Sequence, residues 1–286
     1  MHTAENPSKR WMVEMNGIVE NLPFDEYAKE EGLNASVLAQ GRKSMLHMKS
    51  YIEGEDEDTP AKVWGRVIHI AVLEPENFGK KVSIFEGKTR RGKAWDEFIE
   101  SNKGVEIISK DQGEALAKMM ERVHAKPEIA DLLKECSREV SLFWDGPYGR
   151  AKCRLDAFNQ GVCIADVKTT GQIDPRDFTN TSGRLWQHGR LAWYQHGVEV
   201  VTGHKLPVYI ICVEQKAPFD SYVLEYDSVA LAVGFDQALE TAMMWRKCQE
   251  ANEYPGVQDE IGTLHLPKWM VTEHVENLEE VEASEL

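Results

Sequence analysis

Two stretches carry acids where an extended chain would otherwise be apolar: Asp156 inside Cys153-Arg-Leu-Asp-Ala-Phe158, and Asp166 in Asp166-Val-Lys168. Side chains alternate along a strand, so Asp166 and Lys168 project from one face while Val167 points into the core. If the turn-rich Asn159-Gln160-Gly161 sets the two strands side by side, two carboxylates and one ammonium converge. Two carboxylates leave open positions on Mg2+ or Mn2+, and Mg2+ characteristically keeps waters and takes phosphate oxygens of a substrate. A neighbouring lysine can orient an attacking water and offset charge that builds on a pentavalent phosphate. The chemistry implied is phosphodiester hydrolysis. A DxK triplet alone is more commonly a solvated strand face, and Asp156 is what strengthens the case, because an inward-facing carboxylate needs a cation or a metal. Arg154 is the plain alternative source of that cation.

The elements that must position these groups follow from periodicity. Val140–Trp144, Cys153–Phe158 and Val162–Lys168 read as short strands of an antiparallel meander, separated by Asp145-Gly-Pro-Tyr-Gly149 and Asn159-Gln-Gly161. Pro207–Val213 is apolar throughout, as an interior strand is, and Tyr222–Tyr226 is placed to pair near it. Helical spacing marks Trp64–Leu73, which stops at Glu74-Pro75, then an amphipathic segment over Ala94–Ile99, and helices from Ser109 to before Pro127, over Arg184–Val201 and over Ser228–Gln249. This order predicts an α/β fold of mixed character, a central mixed sheet flanked by helices. His69 lies in the first of these helices, within Val67-Ile-His-Ile-Ala-Val-Leu73, where a lone histidine is more often a satisfied core residue than a ligand.

Taken as a total, charge opposes a nucleic-acid partner: the 286 residues carry a net charge of −15 at pH 7, whereas phosphate backbones are held by Lys and Arg. Position changes that inference. Five acids between Glu53 and Asp58, and nine acids against Lys268 alone from Glu253 onward, hold −13 of the −15. The first is expected to be a solvated loop and the second an acidic, solubilising tail. Five cysteines, Cys136, Cys153, Cys163, Cys212 and Cys248, contain no CxxC pair and fit structural thiols of a reduced, cytoplasmic protein better than a disulfide scaffold or a zinc or iron–sulfur site. No run approaches a membrane span and the first residues lack a signal-peptide apolar core, so no membrane partner is expected. The basic run Lys88-Thr-Arg90-Arg91-Gly-Lys93, with Trp95 close by, has two readings: a grip on a DNA backbone or terminal phosphate with Trp95 stacked on a base, or a solvated loop with Trp95 as its apolar anchor.

An ordered series of residues resembles a known family. Gly65-Arg-Val-Ile-His69 with Leu73-Glu-Pro75 and Phe78, then Thr89-Arg-Arg-Gly-Lys-Ala-Trp95, Glu139 before a strand, Arg154-Leu-Asp156, Asp166-Val-Lys-Thr-Thr170 and Ala192-Trp-Tyr194 together are similar to the exonuclease VIII (RecE-like) group of phage and prophage exonucleases in the PD-(D/E)XK superfamily. The series runs from about Leu33 to Glu250, with residues 1–32 as an N-terminal segment, 33–252 as the nuclease domain and 253–286 as the acidic tail. The resemblance implies a restriction-endonuclease-like core and Mg2+-dependent degradation of linear double-stranded DNA. It further implies His69, Asp156, Asp166 and the Val167 carbonyl as metal ligands, Lys168 as the catalytic lysine, and Glu139 as a further acidic position. A single-strand annealing protein as partner, a ring-shaped homo-oligomer around DNA, and the cytoplasm of a bacterial host belong to the same expectation. One position departs: where the group carries Gln-x-x-x-Tyr, this chain has Arg190 ahead of Tyr194, with Gln187 and Gln195 nearby but at other spacings. An arginine there can touch a phosphate, or mark a changed substrate. A structure-specific or restriction-like endonuclease with the same metal site, and a non-catalytic DNA-binding module retaining the fold, are the alternatives.

Overall fold

The computed structural model describes residues 16–54, 58–171, 173–258 and 260–266. Most of the acidic tail, the first 15 residues of the N-terminal segment and Glu55–Glu57 of the acidic loop therefore lie outside the described residues. In chain order the helices are α1 (Phe24–Lys29), α2 (Ala35–Gly41), α3 (Met45–Glu53), α4 (Pro60–Leu73), α5 (Phe78–Lys81), α6 (Lys93–Ser101), α7 (Lys110–His124), α8 (Pro127–Leu133), α9 (Pro175–Arg184), α10 (Gln187–Thr202) and α11 (Ser228–Ala251). The strands are β1 (Gly17–Val19), β2 (Val82–Phe85), β3 (Glu106–Ser109), β4 (Ser137–Gly146), β5 (Gly149–Asn159), β6 (Cys163–Thr170), β7 (Val208–Glu214) and β8 (Ser221–Glu225).

A six-stranded sheet in the order β1-β4-β5-β6-β7-β8 organises the molecule, antiparallel everywhere except the parallel pair β6–β7. The mixed sheet flanked by helices is the architecture the sequence predicts. Two cores pack against its faces. One places Val140, Leu142, Leu155, Ile164 and Ile210 with residues of α2, α3, α10 and α11. The other places Ala157, Ala165, Val167 and Ile211 with residues of α4, α7, α8 and the small parallel sheet β2–β3. The β7 run is apolar on both faces because it lies inside this three-layer stack.

Local chemistry accounts for the boundaries that matter to function. Thr59 caps α4 by accepting the Lys62 N–H at 3.3 Å, Pro60 occupies its first turn, and Pro75 follows its end. The helix buries Val67, Ile68, Ala71, Val72 and Leu73, each large aliphatic worth about 1.5–3 kcal/mol on full burial, and that anchorage aims His69. Ser109 and Gln112 form a reciprocal capping box at the start of α7. The helix expected over 184–201 is α10 over Gln187–Thr202; the sequence pattern did not mark α9, which precedes it, and Trp186 separates the two in a left-handed conformation (φ 56°). Its indole folds back over Gly189, where a Cβ would lie 2.0 Å from the ring, so the break depends on that glycine. The short elements β1, β2, β3, α1, α2, α3 and α8 carry too little periodicity to be read from the sequence.

Candidate active site

The acids sit where the sheet splits. Backbone pairing between β5 and β6 covers only Ala157↔Ala165, Phe158↔Ile164 and Asn159↔Cys163, after which β6 continues alongside β7 while β5 continues alongside β4. At the mouth of this wedge the Asp156 carboxylate substitutes for a strand, accepting the Val167 N–H at 2.8 Å. The next lateral step is also broken: β4 and β5 pair at Arg138↔Ala157 and Val140↔Leu155 but not between, at the level of Glu139 and Asp156. Glu139 there has φ 53°, a left-handed conformation that costs a non-glycine residue on the order of 1 kcal/mol or more and concentrates at functional sites. Across this step Leu155 packs in one core and Ala157 in the other, so the bend turns Asp156 into the opening.

Around Asp156 the helices complete the cleft. His69 of α4 brings Nδ1 to 3.3 Å from Asp156 Oδ2, and its ring reaches the Val167 carbonyl. Asp166 is 2% exposed and forms an ion pair with Lys168, whose Nζ also lies 3.5 Å from the Val167 carbonyl. From α10, Tyr194 and Arg190 face the same place: burial first, then the carboxylates of Asp166 and Asp156, push the Tyr194 phenol far up, and the Arg190 charge opposes protonation of Lys168. Arg190 Nη1 donates to Ser36 Oγ at 3.1 Å. One turn earlier on α10, Gln187 holds a buried Oε1 without a hydrogen-bond partner among the described residues.

The electrostatics are those of a site short of positive charge. Burial first, and the Asp166 carboxylate second, push the Asp156 carboxyl up to about 7. Burial and the nearby Asp156 likewise raise Glu139. Burial and Lys168 lower His69 and leave its imidazole neutral. Burial pulls Lys168 down, but Asp166 and Asp156 outweigh it and the ammonium is raised overall.

Of the ligand set implied by the resemblance, His69, Asp156 and the Val167 carbonyl come together at the opening, and Asp166 stands beside Lys168. Among the described residues no three His, Cys, Asp or Glu side chains form a closed cage. The donor chemistry nonetheless fits a hard divalent cation that keeps waters: carboxylates, a peptide carbonyl and a neutral imidazole around buried negative charge that the protein alone leaves undercompensated.

The remaining sequence candidates are distributed differently. Trp95 is half-buried, its ring edge-on to Phe85 with centroids 4.9 Å apart and the Arg90 guanidinium 5.7 Å from its centre. Arg90 also donates to Gln112 at 2.9 Å, and Lys93 lies 3.7 Å from Glu97. Trp95 and Arg90 thus anchor the loop onto β2 and α7, while Lys88 and Arg91 are exposed. Arg154, offered by the sequence as a cation for Asp156, instead pairs with Glu139 at 2.7 Å. The partners it reaches there, Leu22 and Tyr27, come from a segment that the sequence pattern left without a role.

A split mixed sheet with Asp156 and Asp166-x-Lys168 at the split defines the PD-(D/E)XK nuclease superfamily as the class of this protein. More particularly, the chain belongs to the family described as PDDEXK-like domain of unknown function (DUF3799), whose model matches residues 35–266. Among solved structures, the chain is similar to a protein from Eubacterium rectale designated "putative exonuclease", with a TM-score of 0.59 and 16% identity over 89% of this chain and 99% of that one. A weaker likeness, to SSO0001, has a TM-score of 0.28 at 10% identity over 74% of this chain and 87% of that one, and bears no argument. No curated protein matches.

Proposed function

We propose that this protein is a metal-dependent deoxyribonuclease, an exonuclease that hydrolyses phosphodiester bonds of linear double-stranded DNA from its ends. The observation that carries the reading is the convergence of Asp156, Asp166, Lys168 and His69 at one opening in the sheet. His69, Asp156, Asp166 and the Val167 carbonyl would hold Mg2+, or Mn2+ in its place. When bound, the cation supplies charge neutralisation at the scissile phosphate and acidifies a water. Lys168, kept protonated by the two aspartates, orients the attacking water and offsets charge developing on the phosphate oxygens. Asp166 holds that ammonium in place through their ion pair. Arg190 and Tyr194 border the opening from α10 and are suited to a phosphate and a backbone sugar, and exposed Lys88 and Arg91 to the duplex backbone farther out. Glu139 adds negative charge beside Asp156.

The setting we infer is phage-type recombination in the cytoplasm of a bacterial host, with a single-strand annealing protein receiving the resected strand and a homo-oligomeric ring retaining the duplex. Among the described residues no helix is long and apolar enough to cross a membrane. The test compares end-labelled linear duplex with covalently closed circular DNA in Mg2+, for wild type and Asp166→Ala. Loss of linear DNA alone, abolished by the substitution, supports an exonuclease. Nicking of the closed circle indicates the endonuclease alternative, and equal degradation by both proteins refutes the assigned site.

A further inference from the structure

Resting on the metal-nuclease reading above, we propose that Arg154 is a positioning residue that acts on the site through Glu139 and makes the segment around β1 and α1 a working part of the cleft. Arg154 precedes Asp156 by two residues on β5, yet the hydrogen bonds of its guanidinium go to other partners. Its Nε donates to Glu139 Oε2 at 2.7 Å, and its Nη1 donates to the Leu22 carbonyl at 2.8 Å and to Ser141 Oγ at 3.0 Å. The Tyr27 ring lies beneath it, 5.8 Å from Cζ to centroid. With 15% of its side chain exposed, the fork has one place to sit.

Glu139 needs such a restraint. It stands in a left-handed conformation at the unpaired step of the β4–β5 ladder, so the backbone hydrogen bonds that aim neighbouring side chains are missing at this position. A planar guanidinium meeting the carboxylate from one fixed direction supplies the orientation that the ladder does not. The other end of the fork is itself anchored. β1 pairs with β4 from Gly17↔Phe143 to Val19↔Ser141, Leu22 and Tyr27 pack with Phe143, and buried Lys152 donates to the carbonyls of Tyr27 and Glu30 at 2.8 and 2.5 Å. The chain from Gly17 to Glu30 thereby becomes a fixed wall whose Leu22 carbonyl sets Arg154, which sets Glu139, which stands beside Asp156. Supporting partners of this kind change metal affinity by roughly 10–100-fold when removed.

The experiment is a double-substitution cycle read by calorimetric Mn2+ binding, with Arg154→Met, Arg154→Lys, Glu139→Gln and the double variant Arg154→Met/Glu139→Gln. Weakened binding on the order of 10-fold is expected for Arg154→Met, with partial recovery in Arg154→Lys, which keeps the charge without the fork. The double variant is expected to bind no more weakly than Glu139→Gln alone, because the first residue works through the second. Binding by Arg154→Met as tight as wild type or tighter, or losses that multiply in the double variant, overturns the inference. Where the methionine variant fails to fold, Arg154→Lys carries the same cycle. A wild-type protein that binds no Mn2+ overturns the metal reading and this inference together, whereas normal binding by a folded Arg154 variant overturns the inference alone.

Discussion

Replacing Asp156 by asparagine should stabilise the protein in the absence of divalent cations, and increasingly so as pH rises. In the folded chain the Asp156 carboxyl is raised from 3.8 to about 7, by burial and by Asp166. A raised acid contributes stability that is fully present below its unfolded value and is lost as pH climbs to the folded one. Between pH 5 and pH 7 the loss spans about two units, hence on the order of 2–3 kcal/mol. Above that the curve is flat with respect to this group. Asparagine has the same shape and still accepts the Val167 N–H, but never ionises, so the advantage of Asp156→Asn over wild type should grow by that amount between pH 5 and pH 8. For a domain of this size the corresponding change is roughly 2–4 °C in Tm per kcal/mol. Thermal and urea unfolding of both proteins in EDTA at pH 5, 6, 7 and 8 measures it, and millimolar Mg2+ should stabilise only the wild type at pH 8. Stability curves that stay parallel across this range, or a wild type that gains on the variant as pH rises, would show that Asp156 is not a buried carboxylate starved of a counter-ion.

Other expectations follow from particular contacts. Glu139→Gly should be more stable than Glu139→Ala by about 1 kcal/mol, the reverse of the usual strand order, because φ 53° suits glycine and both variants equally lose the Arg154 bond; urea unfolding of the two variants decides. Gly234→Ala should destabilise by roughly 1–3 kcal/mol, since its Cβ would meet the His188 carbonyl carbon and oxygen at 2.6 Å where α11 crosses α10; a normal midpoint in urea would contradict that close approach. Trp95→Ala should lower Tm through the lost Phe85 contact and leave DNA affinity near wild type, whereas Lys88→Ala with Arg91→Ala should leave Tm unchanged and reduce the salt slope of duplex binding by about two. Fluorescence anisotropy across a salt series separates these. Lys168→Ala should abolish hydrolysis by a factor on the order of 100 or more while metal binding persists, and calorimetry beside a cleavage assay tests the split.

Much of the site was legible because its elements alternate with period two and carry charge against an apolar background. Asp156, Asp166 and Lys168 stand out from Cys153–Phe158 and Cys163–Thr170 for that reason, and the same alternation places Val167 in the core, where it is fully buried. His69 was harder. Its helix is apolar around the whole turn, so nothing in the spacing separates a ligand from a core histidine; only the packing of α4 over the split brings its ring to Asp156. Arg154 misled for a related reason: proximity along a strand suggests Asp156 as its partner, while the bend at Glu139 and the approach of Leu22 offer better geometry.

Taken alone, the sequence determined the strand and helix alternation, the three candidate catalytic residue types and the concentration of the net negative charge in Glu53–Asp58 and from Glu253 onward. These are properties of neighbours in the chain, set by side-chain periodicity and composition. Tertiary structure decided what depends on residues brought together from far apart: the wedge between β5 and β6, the left-handed turn of Glu139, the break at Trp186, the anchoring of half-buried Trp95 against Phe85 and the recruitment of Leu22 and Tyr27 to the cleft. Each arises from steric fit and hydrogen-bond competition among surfaces distant in sequence, for which no local pattern exists.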